Sequence, residues 1–207
     1  DDNLRRFVHS FMTGQYATLM EANQSIWETI TQYVSVDQDL GKGRKGQTLK
    51  IIDFEDIDKN DFLCVNQFKV SGVNQNIFPD IVLFVNGLPL AVVECKSPYI
   101  TDPMEEGIDQ LLRYANLRSP SDDEGAEKLF HFNQFMVATH RDKARVGTIS
   151  SGVEQYLEWK DPFPKSVEKL GANPTSQEVL LAGVFDRRNF LDLIQSFTVL
   201  EPVDGKI

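Results

Sequence analysis

Three charged residues stand where a charge is costly. The run from Phe78 to Lys96, F-P-D-I-V-L-F-V-N-G-L-P-L-A-V-V-E-C-K, is apolar apart from Asp80 near its start and Glu94 and Lys96 at its end. It reads as two short strands joined at Asn86-Gly87, the strongest short hairpin signal a sequence gives. A charge buried unpaired in a sheet is expensive, so charges set into such a ribbon point to a use for them. Two carboxylates with a lysine beside them suit a divalent-metal site with an adjacent cation. Side chains alternate along a strand, so Glu94 and Lys96 share a face while Cys95 points the other way.

Whether Asp80 joins them is a matter of register. A two-residue loop at Asn86-Gly87 sets Asp80 opposite Val93 and leaves Glu94 on the other face. A three-residue loop, or one bulge, shifts the pairing by one residue and brings Asp80 to the face of Glu94. A shared site therefore predicts an odd-length loop with Gly87 in a left-handed conformation. A two-residue turn without a bulge would argue against it.

The elements that must position these residues belong to one globular domain. The 207 residues are enough for a proper core, and 41% apolar with 25% charged residues argues against a disordered chain and against a membrane protein. No apolar run reaches the ~20 residues that span a bilayer, and no signal peptide opens the chain. The chain lacks an initiating Met and is expected to be a fragment or a processed form. Cys64 and Cys95 lie in apolar runs and are expected to be small core residues in a reducing cytoplasm. His9, His131 and His140 have no zinc-ligand spacing. A net charge of −10 argues against simple binding to nucleic acid, although a carboxylate cluster is itself acidic until its metal arrives.

Along the chain, residues 4–12 and 16–34 carry apolar residues at helical spacing, among them Leu19, Ile26, Trp27, Ile30 and Val34. Glu21 lies on the second helix, where the ordinary reading is an exposed side chain and the alternative is an extra metal ligand. Gly41 to Thr48 matches G-x-G-x-x-G and nearly matches a phosphate loop, but a helix precedes it and an alternating run follows, the reverse of what either motif needs. It is expected to be a flexible basic turn whose Arg44 and Lys45 could meet a phosphate backbone without reading sequence. Strands are predicted at 48–54 and 61–70, then a polar loop and the hairpin.

After Lys96, Asp102 as cap and Pro103 at the first position start a helix to about Leu117, with Ile108, Leu111, Leu112 and Ala115 facing inward. Gln110 and Tyr114, four apart, share a face of it; a surface pair is the ordinary alternative. An exposed loop spans 119–128. The run 132–139 reads as a buried strand parallel to the end of the hairpin, because a helical crossover leads to it. An edge strand at Val146–Ile149 and helices near 152–159 and 176–183 follow. The last helix is capped by Asp186 and carries Phe190, Leu191 and Ile194.

Alone, Asp80 could be a turn cap, and Glu94 with Lys96 an edge-strand ion pair. Together, Pro79-Asp80, a hairpin and Glu94-x-Lys96 form the PD-(D/E)xK pattern of restriction-like nucleases. The longer runs N-D-F-L-C-V-N-Q-F (60–68), P-D-I-V-L-F-V-N-G-L-P-L-A-V-V-E-C-K-S-P (79–98), Q-x-x-x-Y at Gln110 and Tyr114, A-R-V-G-T (144–148), W-K (159–160) and F-D-R-R-N-F-L-D-L-I (185–194) resemble the motor, or restriction, subunit of type I restriction-modification enzymes. The resemblance covers about residues 20 to 200.

It implies the amino-terminal endonuclease domain of that subunit: an α/β, restriction-endonuclease-like mixed central sheet flanked by helices, over residues 1–198. Residues 199–207 would then be a linker towards an ATP-dependent translocase. ATP would serve only the full-length subunit, since no helicase motif occurs in this chain. Carried over, Asp80 and Glu94 would hold Mg²⁺, with Mn²⁺ as a substitute and the Cys95 carbonyl as a third oxygen. Lys96 would orient or deprotonate a water or stabilise the transition state, and Gln110 and Tyr114 would contact DNA or brace the active loop. The implied partners are DNA and the modification and specificity subunits, in the cytoplasm. Glu21 is no clear equivalent of the acid that some related nucleases place on their first helix. The rival readings are a stand-alone or repair-type nuclease of the same fold and a catalytically silent domain that docks DNA or a subunit.

Overall fold

The computed structural model describes residues 2–39, 41 and 43–200; residues 201–207, most of the expected linker, lie outside these, as does Lys42 of the expected basic turn. The chain opens with α1 (Asp2–Thr13) and α2 (Leu19–Thr31), followed by a two-stranded ribbon of β1 (Val34–Asp39) and β2 (Arg44–Leu49). The ribbon corrects two expectations. Val34 begins a strand instead of ending a helix, and the basic turn is largely strand, so the strand predicted at 48–54 stops at Leu49. Opposite charges meet across it, with Asp39 paired to Arg44, and Gly41 and Gly43 at φ +89° and +85° reverse the chain.

Next come β3 (Phe62–Asn66), a minimal ribbon of β4 (Val70–Ser71) and β5 (Asn76–Ile77), and then β6 (Ile81–Val85) and β7 (Leu88–Lys96). Helix α3 (Pro103–Tyr114) crosses over, a short α4 (Glu127–Phe130) follows, and β8 (Phe135–His140) and β9 (Lys143–Gly147) complete the sheet. Its order is β3-β6-β7-β8-β9, with β7 and β8 parallel and every other pair antiparallel. Beyond it lie α5 (Val167–Leu170), α6 (Ser176–Gly183) and α7 (Arg187–Ser196). This is a mixed α/β fold of the restriction-endonuclease-like type, with the parallel crossover where the sequence placed it. A helix expected at 152–159 is instead a single 3₁₀ turn at Val153–Gln155, followed by a bridge from Leu157 to Val146.

Helices cover both faces of the sheet. Val82, Val92, Met136 and Ala138 meet Ile108 and Leu111 of α3 on one side. On the other, Val93 and Val137 pack with Leu180 and Val184 about α6, while Leu90 and Ala91 join Ile26 and Ile30 of α2 and Phe190, Leu191 and Ile194 of α7. Asp186 caps α7 as the sequence predicted, its carboxylate accepting from the amides of Arg188 and Asn189. Asp102 does not act that way at α3: it sits at φ +48° with no side-chain capping bond.

The hairpin corrects the predicted loop and keeps the predicted register. Asn86 and Gly87, at φ +51° and +83°, form a two-residue turn between Val85 and Leu88, the left-handed pair of a type I′ turn. The loop is therefore even, not odd. The register then shifts between Phe84, paired with Pro89, and Leu83, paired with Ala91, so that Leu90 is an extra residue on β7. Beyond this bulge Ile81 faces Val93, and the next position brings Asp80 to the level of Glu94.

Candidate active site

Glu94 and Lys96 lie at the carboxyl end of β7, on the α3 face with Val92, while Asp80 immediately precedes β6 on the same face. α3 comes unusually close here. A Cβ added at Gly107 would meet the Ala138 Cβ at 3.2 Å and the Lys96 Cγ at 3.4 Å, so glycine lets the helix settle against β7 and β8. One turn further on, Gln110 reaches into the charged group.

The contacts form one network. Glu94 Oε1 accepts from Lys96 Nζ at 3.0 Å and from Gln110 Nε2 at 2.5 Å. Lys96 Nζ also donates to Gln110 Oε1. Gln110 Nε2 donates to the Tyr114 hydroxyl at 2.5 Å, and that hydroxyl donates to the Phe78 carbonyl at 3.5 Å. Gln110 and Tyr114 thus turn inward and connect the lysine–glutamate pair to the peptide that leads into Asp80. Asp80 accepts from the Cys95 amide at 2.8 Å on Oδ2 and from the Gln67 side chain at 2.5 Å on Oδ1.

Glu94 is 2% exposed, and its Oε2 is buried with no hydrogen-bond partner. Burial is the main cause that pushes its carboxyl up to about 7; the Lys96 hydrogen bond opposes this and the Asp80 charge adds to it. Burial likewise raises the Tyr114 hydroxyl above the ordinary tyrosine range, with the Glu94 charge reinforcing it. A buried carboxylate oxygen without a hydrogen-bond partner, within reach of a second carboxylate's charge, is the kind of site a hard cation satisfies. Among the described residues no three or more His, Cys, Asp and Glu gather as a metal cluster. The oxygens that could hold such an ion here are the Asp80 and Glu94 carboxylates, a donor type that suits Mg²⁺, which keeps several waters.

Several residues fall elsewhere than expected. Glu21 is exposed at the start of α2, where its carboxylate accepts from the Ala17 amide at 3.1 Å and its own amide donates to the capping Thr18. Cys64 and Cys95 are both exposed free thiols, not core residues. Cys64 sits on the edge strand β3, and Cys95 lies near the carboxyl end of β7. Cys95 does bring its backbone to the site through the amide bond to Asp80. Gln67, marked in the sequence only by its place in the N-Q-F run, follows β3 and meets Asp80 one position beyond the Asn66–Ile81 pair of β3 and β6. His140 was missed: it pairs in parallel register with Lys96, and its Nδ1 is buried without a partner.

Comparison with known proteins agrees with this architecture. The family model "Type I restriction enzyme R protein N terminus" matches residues 2–155. The type I restriction enzyme HindI endonuclease subunit of Haemophilus influenzae is 30% identical over 195 residues, 94% of this chain and 18% of that protein. The putative type I restriction enzyme MjaVIIIP endonuclease subunit of Methanocaldococcus jannaschii is 33% identical over 162 residues, 76% of this chain and 14% of that protein. A second subunit from that organism, putative MjaIXP, is 26% identical over 174 residues, 75% of this chain and 16% of its own length. The chain spans less than a fifth of each of these relatives. Matched by the family model over well over half its length, the chain belongs to the family of type I restriction enzyme R protein amino-terminal domains.

Proposed function

We propose that this chain is the Mg²⁺-dependent endonuclease domain of a type I restriction enzyme and hydrolyses phosphodiester bonds of double-stranded DNA. The observation that carries the reading is Glu94: buried, one oxygen held by Lys96 and Gln110, the other unpartnered and set at the level of Asp80 by the β7 bulge. The domain comprises residues 1–198, and 199–207 lead to the ATP-driven translocase of the complete subunit. That subunit works in the cytoplasm with modification and specificity subunits, the latter choosing the DNA sequence. No helix among the described residues is long and apolar enough to cross a membrane.

In this mechanism Asp80 and Glu94 would hold Mg²⁺, or Mn²⁺ in its place, with the Cys95 carbonyl as a third protein oxygen. The ion would supply charge stabilisation at the phosphate and lower the pKa of a water. Lys96 gives two of its three ammonium hydrogens to Glu94 and Gln110. The third is available to orient the attacking water or to meet charge developing on a phosphate oxygen. Gln110 fixes Lys96 and Glu94 relative to each other, and Tyr114 ties Gln110 to the Phe78 carbonyl.

In the complete enzyme, Glu94→Ala and Lys96→Ala are each expected to abolish cleavage while circular dichroism shows an intact fold. Full cleavage by either variant would refute the assignment.

A further inference from the structure

We infer that Gln67 is a positioning residue for Asp80, fixing the direction in which that carboxylate meets a divalent cation; the inference rests on the metal-site reading above. Gln67 grips Asp80 twice. Its backbone amide donates to the Asp80 carbonyl at 2.9 Å, and its side-chain nitrogen donates to Oδ1 at 2.5 Å. The Cys95 amide takes Oδ2 at 2.8 Å. A carboxylate offers about four lone-pair directions, so two fixed donors leave a restricted pair of directions for an incoming ion.

Gln67 holds this place at a conformational cost. It sits at φ +52°, the left-handed region that a side chain other than glycine adopts with strain. It is also exposed, so its side chain adds little to the core. Asparagine tolerates that backbone more readily but is one methylene shorter. The next residue anchors the loop: the Phe68 ring packs edge-on against Phe84 of β6, with centroids 5.2 Å apart. The left-handed backbone is thus held by its own amide bond to the Asp80 carbonyl and flanked by the packed Phe68, and the side chain's contact of consequence is the Asp80 carboxylate.

The test is Mn²⁺ binding by the 207-residue chain, followed by electron paramagnetic resonance of the free ion, alongside thermal unfolding. Gln67→Gly removes the donor and relieves the left-handed strain; Gln67→Met keeps the length without the donor. Both are expected to weaken Mn²⁺ binding about tenfold or more. The unfolding midpoint of Gln67→Gly should stay within about 3 °C of the parent. A side chain that served only the fold would not separate these two readouts. Parent-like Mn²⁺ affinity in Gln67→Met, with Asp80→Asn having lost it, overturns the positioning role. Parent-like affinity in Asp80→Asn overturns the metal-site reading itself, and this inference with it.

Discussion

Two lysine–glutamate pairs of this molecule have nearly the same length and different consequences. Lys50 Nζ lies 2.7 Å from Glu55 Oε2, and Lys96 Nζ lies 3.0 Å from Glu94 Oε1. The Glu55 side chain is 74% exposed and that of Glu94 only 3%. Water competes for the first pair and salt screens it, so its shorter distance brings little stability. The second pair has left water, and Lys96 occupies only one of the two Glu94 oxygens. The Glu94 carboxyl accordingly rises to about 7 despite its cation, because burial outweighs the hydrogen bond. The Lys50 ammonium is driven the ordinary way, held protonated first by its hydrogen bond to Glu55. Contact length does not distinguish a surface pair from a site; the solvation of the acid does.

The largest expected effect follows from that acid. In the native chain without metal, the Glu94 carboxyl is raised from 4.5 to about 7, so the native state binds the proton more tightly than the unfolded one. Below pH 4.5 both states carry it and the difference vanishes. Between 4.5 and 7 the unfolded chain has ionised while the native one has not, and stability falls with rising pH. Above 7 the loss is complete, amounting to roughly 3 kcal/mol. Urea unfolding from pH 4 to 8 should show this decline, and Glu94→Gln should remove its share. A decline of equal size in Glu94→Gln would place the titration elsewhere and break the contrast with Glu55. Mn²⁺ at pH 8 should restore stability to the parent and not to Glu94→Gln.

What the sequence made legible was local. Asn86-Gly87 announced the hairpin, Glu94-x-Lys96 announced two charges on one face, and the crossover between β7 and β8 followed from a helical run, opened by Pro103, between two apolar runs. The bulge at Leu90 was not legible as such. Every residue of β7 from Leu88 to Glu94 is buried, so no alternation of polar and apolar residues marks the register. An odd loop and a bulge give Asp80 the same neighbour, and the sequence does not choose between them. Gln67 was hidden for another reason: it meets Asp80 thirteen residues away, one position past the paired run of β3 and β6, and the sequence does not say that those two strands are neighbours. The exposure of Cys64 and Cys95 was equally hidden, because an apolar run does not say where the covering helices stop.

Lys96→Met sharpens the comparison from the cation's side. At pH 5 Glu94 is largely protonated, and removing the ammonium deletes its hydrogen bond to an uncharged carboxyl. The cost there is expected to be within about 1 kcal/mol. At pH 8 the same change strands a buried charge or forces Glu94 to keep its proton, and the cost should rise to about 2 kcal/mol. The readout is the difference between the two pH values, obtained from paired urea curves. Equal costs at both would mean that Lys96 packs against Glu94 without sensing its charge.

Lys50→Met gives the smallest effect and closes the contrast. Lys50 reaches Glu55 at 2.7 Å, Asp53 at 3.9 Å and the Tyr33 ring at 4.7 Å, more partners than a single pair requires. The nearest of those partners, Glu55, is open to water, however, and a methionine retains most of the stem that lies along Tyr33. The unfolding midpoint should move by less than about 2 °C, equally at pH 5 and pH 8, and the shift should shrink further in 0.5 M salt, roughly half the Debye length of physiological buffer. A larger shift that survived salt would show that the Lys50 pair is shielded from solvent in the way Glu94 is. The burial of Glu94 would then cease to set it apart, and only its unpartnered Oε2 would mark it as a site.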